Sequence, residues 1–196
     1  MTGSDSSAAA FASAAAWQGW LESEHAQSDG VWLKLAKKAA AELTISYTEA
    51  LEVALCFGWI DAQRRGLDDH HWLIRFTPRR PRSKWSKINT ENAESLIASG
   101  RMRPAGLREV ENAKADGRWA DAYAGARTIT VPADLAEALA ANPAAADFFE
   151  KISSTNRYAI LYRISTVKRP ETRAKKIAQF VQMLAEHKTI HPESAG

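Results

Sequence analysis

The chain has 196 residues and a net charge of +3, and 45% of its residues are apolar. This length suits one large domain or two small ones with a buried core, and the composition is ordinary for a soluble globular protein. The single cysteine, Cys56, excludes an intramolecular disulfide and a cysteine-based zinc site. The alanine-rich start lacks the positive segment of a signal peptide, and no apolar run predicts a transmembrane segment. We therefore expect a cytoplasmic protein, in keeping with the sparse cysteine content.

The first predicted elements are a helix and a strand. Residues 1–12 are predicted to form a disordered lead-in. A helix follows from about Ser13 to His25, in which Trp17 and Trp20 share one face. The alternation of apolar and polar residues in Val31–Ala36 predicts a strand with one face directed inward.

A capped helix and a hairpin form the predicted centre of the fold. Ser46 and Glu49 have the spacing of a capping box, and Gly58 is a typical residue just beyond a helix end. The runs Trp59–Arg64 and His71–Phe76 are rich in aromatic and branched residues, which predicts an antiparallel hairpin. With the preceding strand they predict a small sheet of about three strands.

Beyond the hairpin, the sequence predicts a basic loop and then helices. Pro78 and Pro81 end the second hairpin strand and direct the basic segment into a loop. Asn89 or Thr90 is a suitable cap for the next helix, and Pro104 suits the first turn of the one that follows.

The C-terminal part is predicted to be purely helical. Four helices are expected from residue 130 onward, with start signals at Val131-Pro132, Asn142-Pro143 and Pro170. The sequence therefore predicts an α+β protein, in which helices flank a small antiparallel sheet and a C-terminal helical bundle follows. The predicted divisions are a lead-in over 1–12, an α+β domain over 13–127, a helical domain over 130–188 and a tail over 189–196.

The positive charge of the chain is concentrated in one segment, residues 75–89. This segment has six basic residues and no acidic residue, and since the whole chain carries +3, the remainder carries −3. Guanidinium groups bind phosphates through paired hydrogen bonds, and a neighbouring indole offers a stacking face. The predicted anion-binding residues are Arg75, Arg79, Arg80, Arg82, Lys84, Trp85 and Lys87.

Internal pairing is the alternative interpretation of this basic segment. Arg75 and Arg79 are close enough in sequence to the hairpin for Asp61, Asp68 and Asp69 to neutralise them. Three acids cannot neutralise six cations, so we expect positive charge to remain available for a ligand.

The sequence shows no motif of a known enzyme class, and neither a metal site nor a cofactor is predicted. Cys56 falls in the last turn of its predicted helix, where a thiolate is disfavoured, so we expect an inert thiol. Asp61 is the one candidate for a general base, in a small-substrate pocket with Trp59 and Arg64. A structural ion pair with Arg79 or Arg80 is the alternative role for Asp61.

Five separated blocks of this sequence carry a family resemblance: Gly58–Asp61, Arg75–Asn89, Gly100–Met102, Gly117–Trp119 and Pro170–Arg173. Together they resemble the YdeI/OmpD-associated, or bacteriocin-protection, family over about residues 13–190. Alanine at position 62 departs from the glycine usual there in the family. The resemblance implies a bacterial stress or protection protein and supplies no catalytic residues.

The leading functional hypothesis is a non-enzymatic protection protein that binds an anionic partner through residues 75–89. The expected partner is a phosphate-bearing polyanion or a nucleic acid. Two alternatives remain open: an enzyme with a small-substrate pocket at Asp61, and a protein-interaction module.

Overall fold

The computed structural model describes residues 8–38, 40 and 44–193. These residues form two compact units. The described residues up to Trp85, together with Asn89–Ala122, form the N-terminal unit; Ser86–Ile88 and the described residues from Tyr123 onward form the C-terminal unit. The division between Ala122 and Tyr123 falls a few residues before the predicted boundary at 127–130.

The N-terminal unit combines a three-stranded antiparallel sheet with helices, which confirms the predicted α+β class. The strand order is β1-β3-β2, so that β3 is the central strand. The elements are α1 (Ala14–Glu24), β1 (Val31–Ala36), α2 (Tyr47–Cys56), β2 (Trp59–Gly66), β3 (His71–Pro78), α3 (Lys87–Ala98), of which the first residues belong to the C-terminal unit, and α4 (Pro104–Ala115).

Local capping sets the limits of α2, as the sequence predicts. The hydroxyl of Ser46 accepts a hydrogen bond from the backbone N–H of Glu49, and the Glu49 carboxylate accepts one from the Ser46 N–H. Gly58 follows the helix with φ +73°, a left-handed conformation that favours glycine. At Gly106 of α4, an added Cβ would lie 2.4 Å from the Cys56 carbonyl oxygen, so a glycine is needed where α4 crosses the end of α2.

Tryptophan side chains hold the N-terminal core together. Trp17, Trp20 and Trp59 are in mutual contact, with ring centroids 5.3–6.4 Å apart. Two buried indoles of this cluster donate hydrogen bonds: Trp17 to the Ala50 carbonyl and Trp59 to that of His25. The alternating strand residues Leu33 and Ile74, among others, complete this core.

Two predicted boundaries in the N-terminal unit are wrong. Residues 8–12 are ordered, because Ala9 pairs with β1 through hydrogen bonds to Trp32 and Lys34; residues 1–7 of the predicted lead-in lie outside the described part. Helix α3 begins at Lys87 rather than after a cap at Asn89 or Thr90, which lie inside the helix and are buried.

The C-terminal unit is helical, as predicted, and has its own core. Leu135, Phe149, Ile160, Ile164 and Leu184 are among its buried residues. The helices are α5 (Ala133–Ala140), α6 (Pro143–Lys151), α7 (Ser154–Ser165) and α8 (Pro170–Ala185).

The predicted loose tail over 189–196 is wrong for its described part. Asn156 is buried and donates to the His191 carbonyl, and its side-chain oxygen accepts from the His191 N–H. The Glu193 carboxylate accepts hydrogen bonds from the N–H of Ser153 and from Asn156. A buried amide that needs partners therefore fixes the chain as far as residue 193, and residues 194–196 lie outside the described part. Among the described residues, no helix is long and apolar enough to cross a membrane.

Candidate anion site and ligand pocket

The residues of the predicted basic loop lie in three different environments in the structure. Arg75 lies in β3, opposite Trp32 of β1. Arg79 and the residues up to Trp85 form the loop after β3, hereafter the 79–85 loop. Lys87 is exposed at the start of α3 and belongs to the C-terminal unit. The seven predicted anion-binding residues are therefore distributed over a strand, a loop and the start of a helix.

Arg79 and Trp85 lie inside the N-terminal unit and support the loop from behind. Arg79 is only 6% exposed and Trp85 only 2%. The guanidinium carbon lies 3.5 Å from the centroid of the Trp85 ring, and Nη1 donates to the Lys84 carbonyl at 3.2 Å. Trp119 also packs against Trp85, with the two ring centroids 4.8 Å apart. The predicted stacking face of Trp85 is therefore not available to a ligand.

Two of the three acids expected to neutralise the basic segment, Asp61 and Asp68, have other partners. Asp61 accepts a hydrogen bond from the hydroxyl of Tyr47 at 3.1 Å, so the predicted ion pair with Arg79 or Arg80 is wrong. Asp68 accepts from the backbone N–H groups of His70 and His71 in the hairpin turn. These hydrogen bonds, chiefly that from His70, lower the pKa of Asp68.

A second arginine, which the sequence analysis did not identify, fixes the tip of the 79–85 loop. Arg118 donates from Nη1 to the Ser83 carbonyl at 3.0 Å and from Nε to the Asp116 carboxylate at 2.7 Å. Within the loop, Ser83 donates its N–H to the Arg80 carbonyl and accepts the Arg80 N–H on its hydroxyl. Arg118 lies in one of the blocks that carried the family resemblance, which is the one signal that could have pointed to it.

The other basic residues of the loop are at the protein surface. Arg80, Arg82 and Lys84 are exposed, and no acidic residue occurs in the loop. Within the described part of the chain, the guanidinium groups of Arg80 and Arg82 make no hydrogen bond or ion pair. A fixed loop with two outward guanidinium groups can contact a phosphate or carboxylate through charge-assisted hydrogen bonds.

The second candidate site is a surface pocket of about 270 Å³ on the hairpin. Of the three residues proposed for a pocket, Asp61 and Arg64 line this one. Trp59 does not, because its ring is 1% exposed and packs in the core. The aromatic walls of the pocket, Tyr47 and Trp72, were not predicted from the sequence. The lining residues are Tyr47, Asp61, Ala62, Gln63, Arg64, Trp72 and Ile74.

Cys56 and the histidines carry no candidate chemistry. The Cys56 thiol is buried at the end of α2, and burial raises its pKa, which opposes thiolate formation. Across residues 8–38, 40 and 44–193, no three side chains of His, Cys, Asp or Glu are grouped so as to hold a metal ion.

Comparison with known proteins assigns the two parts of the chain to two family models. Residues 9–109 match a family described as a domain of unknown function, DUF8412. Residues 128–187 match the family described as bacteriocin-protection, YdeI or OmpD-associated, which confirms the predicted relationship. Neither the curated proteins nor the solved structures gave a match. The chain therefore belongs to the DUF8412 family, and its helical unit carries the YdeI/OmpD-associated, bacteriocin-protection domain.

Proposed function

We propose that this protein is a non-enzymatic binding protein that holds an anionic partner at Arg80 and Arg82 of the 79–85 loop. The observation that carries the proposal is the support of this loop from behind by Arg79, Trp85 and Arg118, which leaves the two other arginines exposed. The partner class is a phosphate-bearing polyanion, of which nucleic acid is the most common example.

Preorganisation is the first argument for binding at this loop. Ordering a flexible loop on binding costs free energy that must be recovered from the contacts with the ligand. Here, the Arg79 stack on Trp85 and the Ser83–Arg118 hydrogen bond already order the loop in the free protein. Two arginines in a fixed arrangement therefore lose less entropy per contact than arginines on a mobile segment.

Charge is the second argument. Arginine presents a planar set of donors that matches phosphate oxygens, and it keeps its charge at every physiological pH. The absence of acidic residues between Arg75 and Asn89 leaves this charge uncompensated within the segment. With two exposed guanidinium groups rather than six cations, we expect weak binding that depends strongly on salt.

The family relationship supports the physiological part of the proposal. The description of the family over residues 128–187 names bacteriocin protection. Sequestration of an anionic partner, without chemical conversion, is the activity that we propose for this protein in such a protective role.

Fluorescence anisotropy with labelled duplex DNA, labelled single-stranded DNA and labelled heparin tests the proposal. The test variant is Arg80→Gln/Arg82→Gln. The matched control is Arg169→Gln/Lys175→Gln, which removes the same charge from two exposed positions of the C-terminal unit. We expect the affinity of the test variant to fall about tenfold or more, since hydrogen bonds to charged groups contribute about 1.5–3 kcal/mol each, and that of the control to change little. Equal affinities for the test variant and the wild type would refute the proposal.

A further inference from the structure

The pocket on the hairpin contains one negative and one positive side chain that do not pair with each other. Asp61 pairs with Phe76 and Arg64 with Ile74 in the register between β2 and β3. Phe76 and Ile74 are two residues apart in β3, while Asp61 and Arg64 are three residues apart in β2. Strand β2 therefore contains a bulge between Asp61 and Arg64. The bulge keeps both side chains on the same side of the strand, and both line the pocket.

The Asp61 carboxylate is oriented by one hydrogen bond. The hydroxyl of Tyr47 donates to its Oδ2 at 3.1 Å, and Tyr47 lies in the first turn of α2. Among the described residues, no cation lies within ion-pair distance of Asp61. One carboxylate oxygen is therefore fixed by Tyr47, and the other can accept from a ligand.

The Arg64 guanidinium lies over the ring of Trp72. Its central carbon lies 4.2 Å from the centroid of the Trp72 ring, and Trp72 in turn contacts Tyr47 with ring centroids 6.0 Å apart. Arg64 makes no hydrogen bond or ion pair within the described part of the chain. A guanidinium that contacts an indole face in this way still has N–H donors that can bind a carboxylate through two hydrogen bonds.

We propose that this pocket binds a small zwitterion, a free α-amino acid with an apolar side chain. The ligand's ammonium group donates to Asp61 and its carboxylate accepts from Arg64. The side chain of the ligand contacts the apolar walls formed by Tyr47, Trp72 and Ile74.

The paired charges give the pocket its selectivity. A simple anion that approaches Arg64 also meets the Asp61 carboxylate, and a simple cation that approaches Asp61 also meets Arg64. Only a ligand with both charges satisfies both groups. Asp61 attracts the ammonium group of the zwitterion and repels simple anions, while Arg64 attracts the carboxylate and repels simple cations. This pocket is therefore distinct in specificity from the 79–85 loop, which has no acidic residue.

Isothermal titration calorimetry with leucine and phenylalanine tests the proposal, and two leucine derivatives separate the roles of the two charges. Leucinamide lacks the carboxylate and N-acetylleucine lacks the ammonium group, so we expect both to bind the wild type about tenfold or more weakly than leucine. Arg64→Gln is expected to abolish the preference for leucine over leucinamide. Asp61→Asn is expected to abolish the preference for leucine over N-acetylleucine.

The variant Arg80→Gln/Arg82→Gln is the control that separates this pocket from the anion site, and it should bind leucine as the wild type does. Far-UV circular dichroism shows whether each variant is folded, which we expect because Arg64 is exposed and Asp61 is partly exposed. Two results would overturn the proposal. One is no saturable heat of binding with either amino acid up to millimolar concentration; the other is binding of leucine that both pocket variants leave unchanged.

Discussion

A single arginine, Arg79, shows how little of a basic segment can be available to a ligand. Its guanidinium is buried against Trp85, and its backbone N–H donates to the Gly58 carbonyl at the start of the hairpin. A buried cation needs compensation, and the face of the Trp85 ring and the Lys84 carbonyl oxygen contribute to it. The neighbouring Arg80 has the same side chain and an exposed position, so the two residues have opposite roles.

This contrast predicts that alanine substitution lowers the free energy of unfolding much more at Arg79 than at the adjacent Arg80. Trp85→Ala should lower the free energy of unfolding by about 3–5 kcal/mol, and Arg79→Ala by about 2 kcal/mol, because a desolvated cation–π contact is lost. Arg80→Ala should change it by no more than about 0.5 kcal/mol, as is usual for surface positions. Urea denaturation followed by tryptophan fluorescence measures all three, and equal stability of Arg79→Ala and Arg80→Ala would contradict the buried role of Arg79.

The buried thiol gives a second prediction at this scale. Because burial raises the pKa of Cys56, the native protein should react with a thiol reagent at neutral pH far more slowly than the unfolded protein does. The unfolded chain in urea, which should label at one thiol per molecule, is the internal standard. Rapid stoichiometric labelling of the native protein would show that Cys56 is accessible.

The candidate-site residues were predictable only where the sequence neighbourhood defines them. Asp61 and Arg64 were identified because they follow a helix stop and begin a strand, and both line the pocket. Tyr47 and Trp72 were missed because their contacts depend on the packing of α2 and β3 against β2. The burial of Trp85 was missed for the same reason, since Trp119 is far away in sequence.

At the scale of elements, local signals located most helices and strands. The capping box at Ser46, the Asn142 cap before Pro143, and Pro170 in the first turn of α8 all function as predicted. The predictions that are wrong concern residues whose structure depends on contacts with residues distant in the sequence. Ala9 is ordered by pairing with β1, and Glu193 by hydrogen bonds to the start of α7, and neither has a local signal.

One ion pair joins α5 and α8 and makes the helical unit sensitive to acid. Arg173 binds both oxygens of Asp134, at 2.6 and 2.9 Å, and its third nitrogen donates to the Ile164 carbonyl. The hydrogen bonds from Arg173 lower the pKa of Asp134. A carboxylate whose pKa is lowered by folding stabilises the folded state above its unfolded pKa, near 3.9, and loses this effect as the pH falls through its folded pKa.

Asp134→Asn should therefore lower the stability of the helical unit at neutral pH by up to about 1 kcal/mol, since the pair is partly exposed. The difference from the wild type should shrink once the pH falls below about 3.9. Urea midpoints by far-UV circular dichroism at several pH values measure this effect. A difference that stays constant down to the acid range would show that the charge of Asp134 is not its source.

At the scale of the whole molecule, the two units can be observed separately. All seven tryptophans, from Trp17 to Trp119, belong to the N-terminal unit, and the C-terminal unit has none. Tryptophan fluorescence therefore reports only on the unit that contains both candidate sites. The α+β class was predictable because runs of period two occur only before residue 78 and helical start signals dominate after residue 130.

The whole-molecule charge makes salt dependence the direct test of the anion site. A chain with a net charge of +3 attracts any polyanion weakly, and this diffuse attraction does not depend on two particular arginines. Phosphate contacts, in contrast, release counterions in proportion to their number.

The decisive measurement is the slope of log affinity against log salt for duplex DNA, in the wild type and in Arg80→Gln/Arg82→Gln. Two phosphate contacts predict that the magnitude of the wild-type slope exceeds that of the variant by about 1.8, at about 0.9 for each contact. Arg169→Gln/Lys175→Gln should keep the wild-type slope. If the Arg80/Arg82 variant keeps the wild-type slope instead, the 79–85 loop does not contact the polyanion.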